Sequence, residues 1–199
     1  MTLSLCLKDH DCLPDLSFSD TKCPSYINGK NGLMKDIFLK NNSGNYYVAR
    51  GWNSGYDCAD CQKLMYNGLL DSEGQFRLET HWSSQLDGKT KTANNSLVQD
   101  SPRSMMTKYK LFGMDVEEHY YFLDWTPDGS WVMFYYCGYG FDREYQGALL
   151  LTRDYDFDLI PESIENRFDK AILKAGLSEY LGPLNEWCQP KFYERCKNF

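Results

Sequence analysis

Two thiols stand three residues apart at Cys58 and Cys61, within the run Tyr56-Asp57-Cys58-Ala59-Asp60-Cys61-Gln62. Thiols at this spacing can hold zinc, shuttle electrons or close disulfides. A tetrahedral zinc site needs a second close pair of Cys or His ligands. The remaining cysteines, Cys6, Cys12, Cys23, Cys137, Cys188 and Cys196, are scattered, and His10, His81 and His119 stand alone. A redox-active CxxC of the thioredoxin kind sits in a βαβ setting, and no such pattern surrounds this one. The expectation is therefore disulfide staples closing a loop-rich β domain, with no metal.

The elements that must position these groups change character along the chain. Residues 1–32 hold three cysteines and little periodicity, and read as a disulfide-tied arm. Residues 33–155 read as the main β domain. Alternating runs recur at Asn45–Trp52, Gln62–Leu70, Gln75–Trp82, Thr90–Val98, Met106–Phe112, Glu118–Trp125, Ser130–Gly138 and Tyr145–Arg153. Asp71-Ser72-Glu73-Gly74, Asp87-Gly88, Ser101-Pro102 and Pro127-Asp128-Gly129 break them with hairpin-turn chemistry. Eight antiparallel strands at even spacing predict an up-and-down barrel. The rival is an immunoglobulin-like sandwich, but its Cys…Trp…Cys spacing is absent. Residues 156–199 form the third part. Pro161 suits a helix start, Ile164, Phe168 and Ile172 share one face, and Gly176 supplies the stop. A shorter helix is predicted around Ser178–Leu181, before Gly182-Pro183.

Composition narrows the class. A chain of 199 residues can bury a sizeable core. A net charge of −7 without a Lys/Arg cluster argues against nucleic acid. No apolar run approaches the roughly 20 residues of a spanning helix. Eight cysteines favour an oxidising compartment. No targeting segment is recognisable at Met1, and the cysteines favour one that has been removed. The 15 tyrosines and 11 phenylalanines fit strands with one wet and one apolar face.

A closed barrel of about eight strands has room for one small ligand. Gly44-Asn45-Tyr46-Tyr47 resembles the lipocalin Gly-x-Trp motif, with Tyr46 in place of the tryptophan. Arg153 ends the last strand, where lipocalins stack an arginine on that ring, and a helix follows. The order of these features makes an eight-stranded lipocalin-like barrel the expected fold.

Gly51-Trp52-Asn53-Ser54-Gly55-Tyr56-Asp57-Cys58-Ala59-Asp60-Cys61-Gln62 is similar to the signature of violaxanthin de-epoxidases and their related proteins. So are Val98-Gln99-Asp100, the Tyr135-Tyr136-x-Gly138 turn and Gly147-Ala148-Leu149-Leu150-Leu151-Thr152-Arg153. The similarity runs from about Gly44 to Cys188. The Cys6, Cys12 and Cys23 spacing looks like the related-protein branch, and the long acidic C-terminal region of the plant enzyme is missing.

The resemblance implies a plastid protein, in the thylakoid lumen or on the thylakoid. It also implies a xanthophyll in the barrel and ascorbate as reductant. Opening an epoxide calls for a proton on its oxygen, which a buried carboxyl with a raised pKa can deliver. Alignment on Tyr121-Phe122-Leu123 puts Glu118 at the family's aspartate. A slip of one residue puts Glu117 there instead, and alternation lets only one of the two face the lumen. The pair also reads as a solvated turn. Tyr136 matches a second site tyrosine, and Asp57 and Gln62 match loop residues. The implied wall comprises Tyr120, Phe122 and Phe134, with Leu97 in place of a phenylalanine and Val116 and Leu151 in place of tyrosines. For the disulfides, the resemblance implies Cys61 with Cys188; Cys6 with Cys12 or Cys23 is a further expectation, and Cys58 and Cys137 stay unassigned. Two functions stay open. One is an enzyme performing de-epoxidation or redox-neutral rearrangement. The other is a non-catalytic pigment or lipid binder, docked on a membrane surface or a photosystem–antenna assembly through aromatics such as Phe192, Tyr193 and Phe199.

Overall fold

The alternation in the sequence becomes eight strands: β1 (Gly44–Gly51), β2 (Lys63–Leu70), β3 (Phe76–Leu86), β4 (Lys89–Ser101), β5 (Ser104–Leu111), β6 (Met114–Trp125), β7 (Trp131–Gly140) and β8 (Arg143–Thr152). In this computed structural model each strand pairs antiparallel with the next, and β8 pairs back to β1 to close the barrel. The structure describes residues 27, 38–39, 44–55, 57–86, 89–101, 104–111, 114–140, 143–155, 159–191 and 196. The predicted N-terminal arm lies outside these residues apart from Ile27.

One face of each strand fills the lumen. Tyr46, Val48, Leu64, Tyr66, Leu78, Leu97, Met105, Val116, Phe122, Phe134 and Leu151 pack there as one apolar cluster. A register shift between Phe122 and Asp124 changes the phase of β6. Beyond it Trp125 faces the lumen, whereas Leu123 faces the opposite side. Bulges re-aim side chains in this way. Phe38 plugs the Tyr46 end, its ring 5.1 Å from Tyr66 and 5.9 Å from Phe122. Arg153 reaches over Tyr46 at 5.2 Å from the ring centroid, as the lipocalin resemblance implies. The Tyr46 hydroxyl donates to the Gly129 carbonyl across the same end. Arg153→Ala is expected to lower stability by about 1–2 kcal/mol through lost cation–π contact and stem packing. A thermal midpoint equal to the wild type's would show that the closure does not depend on this pair.

Outside the barrel lies a second core. Helix α1 (Glu162–Ala175) buries Phe168, Ala171, Ile172 and Ala175 against the outward residues Met133, Tyr135, Cys137, Ala148 and Leu150. Gly176 adopts φ 77° and returns its N–H to Ile172 and Leu173, which ends the helix where the sequence predicts. Arg167 fixes the helix to the bulged end of β6, 2.7 Å from Asp124. A short helix α2 (Ser178–Leu181) and a 3₁₀ turn (Leu184–Glu186) follow. β7 and β8 are thus buried on both faces, which is why they read as near-continuous apolar runs.

The predicted Cys61–Cys188 bridge is not formed. Cys58 pairs with Cys188, and Cys61 pairs with Cys196. Gly51 and Cys188 exchange backbone hydrogen bonds, laying residue 188 beside the start of the β1–β2 loop, within reach of Cys58. Cys61 faces the later stretch instead, its N–H donating to Lys191 O. Cys137 is also disulfide-bonded. Cys6, Cys12 and Cys23 lie outside the described residues.

Candidate active site

Strand parity decides between the two glutamates. Glu118 lies on the inward face of β6 with Val116, Tyr120 and Phe122, and is buried at 7 % exposure. Glu117 is corrected to the outer face, where it pairs with Lys108 at 2.7 Å and with His119 at 3.2 Å. These neighbours hold its carboxyl below the usual range, with the Lys108 hydrogen bond the main cause. Neither residue forms a turn, since both sit well inside β6.

Three phenols surround Glu118. Tyr120 donates to Oε2 at 2.6 Å, Tyr109 on β5 donates to Oε1 at 3.0 Å, and Tyr145 on β8 also donates to Oε1. Gly138 leaves the space on β7, since a Cβ there would strike Glu118 Cγ and the Tyr145 ring. Tyr136, one cross-strand step from Tyr120, stacks on it at 5.9 Å. Its hydroxyl turns to the second buried carboxyl and donates to Asp57 Oδ1 at 2.8 Å.

Asp57 arrives from the β1–β2 loop rather than from a strand. Its Oδ2 accepts the Asn53 N–H at 2.9 Å and the Ala148 N–H at 3.2 Å. Asn53 ties the loop to β8 by donating to Gln146 O at 2.7 Å. Burial pushes the Asp57 carboxyl up to about 7, against the opposing pull of these hydrogen bonds. The Tyr120 and Tyr136 phenols are raised well above the ordinary tyrosine value, by burial first and by the neighbouring carboxyls second. Both therefore stay protonated across the physiological range. Gln62 is buried beside the loop, where its Oε1 accepts the Trp82 indole N–H at 3.0 Å. Its Nε2 is buried without a hydrogen-bond partner among the described residues.

The structure thus gathers Asp57, Glu118, Tyr120 and Tyr136 into one polar cluster inside an aromatic lumen. Leu97, Val116, Phe122, Phe134 and Leu151 line the same interior. Tyr109, Tyr145, Asn53 and Trp82 were not anticipated. Tyr145 could have been found by parity, being six residues before Leu151 on the same face of β8. Tyr109 could not, because Met105 and Met106 leave the phase of β5 open.

Gly147 is the packing point that sets Tyr136. A Cβ there would lie 2.3 Å from the Tyr136 ring and hydroxyl, far inside contact distance. Gly147→Ala is expected to drive the phenol off Asp57 and to cost about 1–3 kcal/mol by overpacking. Retention of both wild-type stability and the Tyr136–Asp57 hydrogen bond in a structure of this variant would refute that.

The closed eight-stranded cylinder with a helix against its side and an arginine over an end-plugging tyrosine defines a lipocalin-type protein. Solved structures agree at the level of fold. The major allergen Per a 4 from cockroaches superposes with a TM-score of 0.55 at 12% identity, covering 90% of this chain and 98% of its own. The siderocalin Ex-FABP, described as functioning through dual ligand specificities, gives 0.52 at 11% identity, covering 76% of this chain and 90% of its own. No curated protein matches significantly. The VDE lipocalin domain family model matches residues 2–180, and the chain belongs to that family.

Proposed function

We propose that this protein is a plastid lipocalin that takes an epoxidised xanthophyll into its barrel and opens the epoxide by acid–base chemistry. The observation that carries the reading is the pair of buried carboxyls, Asp57 and Glu118, joined to four phenols within an otherwise apolar lumen. The apolar wall suits a polyene, and the polar cluster suits the one oxygenated ring that must react. A group near 7 can both give and take a proton under mildly acidic conditions. Localisation in the thylakoid lumen fits this reading and the disulfides.

Ascorbate, the reductant that de-epoxidation would consume, fits the cluster less well. Its described side chains are acids, phenols and amides, and none offers a cation to an anionic reductant. Purified protein incubated with violaxanthin or diadinoxanthin at mildly acidic pH, with and without ascorbate, is expected to convert the pigment. Binding without conversion would instead favour a carrier or a peripheral photosystem–antenna subunit. That second reading draws on Met65, Leu69 and Leu70, exposed on β2 along the wall the helices leave bare. The aromatics first considered for such a contact, Phe192, Tyr193 and Phe199, lie outside the described residues.

A further inference from the structure

The inner face of β2 carries a phenol that the fold itself does not use. Tyr66 is 2 % exposed and belongs to the lumen cluster. It packs on Phe38 at 5.1 Å and edge-on against Tyr46 at 5.6 Å, next to the closed end. Among the described residues its hydroxyl makes no hydrogen bond. Burial raises it well above the ordinary tyrosine value, with Tyr46 as the lesser cause, so it stays protonated. The hydroxyls around it are engaged elsewhere. Tyr46 donates to Gly129 O, Thr80 across the strand pair donates to Asn95 O, and Tyr120 is hydrogen-bonded to Glu118. A buried hydroxyl left unpaired is destabilising, and a phenylalanine would fill the same space without that cost. A tyrosine at this position therefore points to a partner that enters the lumen.

The depth of Tyr66 decides which part of a guest it meets. Gln62 stands at the β1–β2 loop end of the same strand, and its Nε2 is likewise orphaned. Tyr66 lies four residues further in, roughly 13 Å along the strand. Asp57 hangs from the loop at the entry end, and Phe38 plugs the opposite one. A guest thus passes the carboxyls first, and its leading tip arrives at Tyr66.

We propose that Tyr66 is a specificity-determining residue that hydrogen-bonds an oxygen at the leading tip of the guest, so that the lumen selects polyenes with a hydroxylated terminal ring over plain hydrocarbons. The proposal rests on the reading that a polyene enters the barrel, and it is independent of whether an epoxide is opened there. A ring hydroxyl can donate to the phenol or accept from it, so the contact forms in either direction. A neutral oxygen also suits an interior of aromatic rings, where an ion would be costly.

Zeaxanthin and β-carotene share one carbon skeleton without an epoxide and differ in their ring hydroxyls, which separates this contact from the chemistry. Binding of each to the full chain is read by quenching of intrinsic fluorescence, with both pigments delivered from the same detergent micelles. Comparing the ratio of the two dissociation constants between wild type and Tyr66→Phe cancels the unequal partition of the pigments into micelles. The variant is expected to lose roughly three- to tenfold of the preference for zeaxanthin and to bind β-carotene as before. Its pigment-free thermal midpoint is expected to equal or exceed that of wild type, because no hydrogen bond of the fold is lost. An unchanged ratio in the folded variant would overturn the proposal. So would a clear drop in the pigment-free midpoint, which would show the hydroxyl at work in the fold. Binding of neither pigment by wild type would overturn it together with the reading it rests on. Selection of zeaxanthin without any conversion of violaxanthin would sustain it while removing the epoxide chemistry.

Discussion

Replacing the Cys58–Cys188 and Cys61–Cys196 disulfides together with serine pairs is expected to lower unfolding free energy by more than any single core substitution. The Cys58–Cys188 bridge spans 130 residues, and the chain-entropy model gives about 5 kcal/mol for a loop of that length. Once it is formed, Cys61–Cys196 closes only a small additional ring, worth about 3 kcal/mol. Set against a total stability of roughly 5–15 kcal/mol, loss of both should leave much of the population unfolded at room temperature. Removing either alone should be tolerated better than additivity predicts, because each keeps the same two segments together. Denaturant unfolding of the Cys58→Ser/Cys188→Ser, Cys61→Ser/Cys196→Ser and combined variants separates these cases. A combined variant within about 1 kcal/mol of wild type would show that packing alone holds the C-terminal segment. The consequence reaches the site, since these bridges anchor the loop that delivers Asp57.

Asp57→Asn should change how stability depends on pH. The folded-state pKa of Asp57 is raised from 3.8 to about 7. Between those values the folded protein holds a proton that the unfolded chain has released. Stability from this group is therefore fully present below about pH 4 and is lost as pH rises through about 7. At about 1.4 kcal/mol per pH unit the loss reaches a few kcal/mol. Asp128 acts with the opposite sign and in another window. Hydrogen bonds from Thr126 and Ser130 lower it to about 2, so its contribution is lost only as pH falls toward that value. Stability should peak in mild acid and decline toward neutrality, and Asp57→Asn should flatten the decline. Parallel pH profiles for wild type and variant would show that Asp57 does not carry it. Because Asn cannot supply the same proton, epoxide opening should also fall by roughly two orders of magnitude or more.

The barrel was legible because its signals are local. Turn residues between alternating runs set the number of strands, and eight strands with short hairpins leave little choice of topology. Glu118, Tyr120, Phe122, Phe134 and Tyr136 were placeable by period two alone once one of them was oriented. What stayed hidden depends on distant chain meeting by folding. The exchange of disulfide partners is of this kind: Cys58 and Cys61 are equivalent in sequence, and only the Gly51–Cys188 bridge tells them apart. Tyr109 is another case, since its role requires β5, β6 and β8 to converge on one carboxyl. Asp57 was named through resemblance, but its burial follows from a loop folding down onto β8.

Among the described residues the β4–β5 seam of the cylinder carries the fewest paired positions, three against four at each β1 seam. β3 and β4 pair from Arg77↔Val98 to Leu86↔Lys89, and β7 pairs along its length with β6 and β8. Among the described residues β4 meets β5 only at Val98↔Met106, Gln99↔Met105 and Ser101↔Ser104, with a register shift between them. The β4–β5 pairing does not continue past Val98↔Met106 among the described residues, and Tyr109 stands on the following stretch of β5, beside Glu118. Amide hydrogen exchange should accordingly be faster along this seam than on β7, which α1 clamps from outside. Local opening of the cylinder at this seam would therefore involve a strand that carries one phenol of the Glu118 cluster, so the site should loosen before the core does.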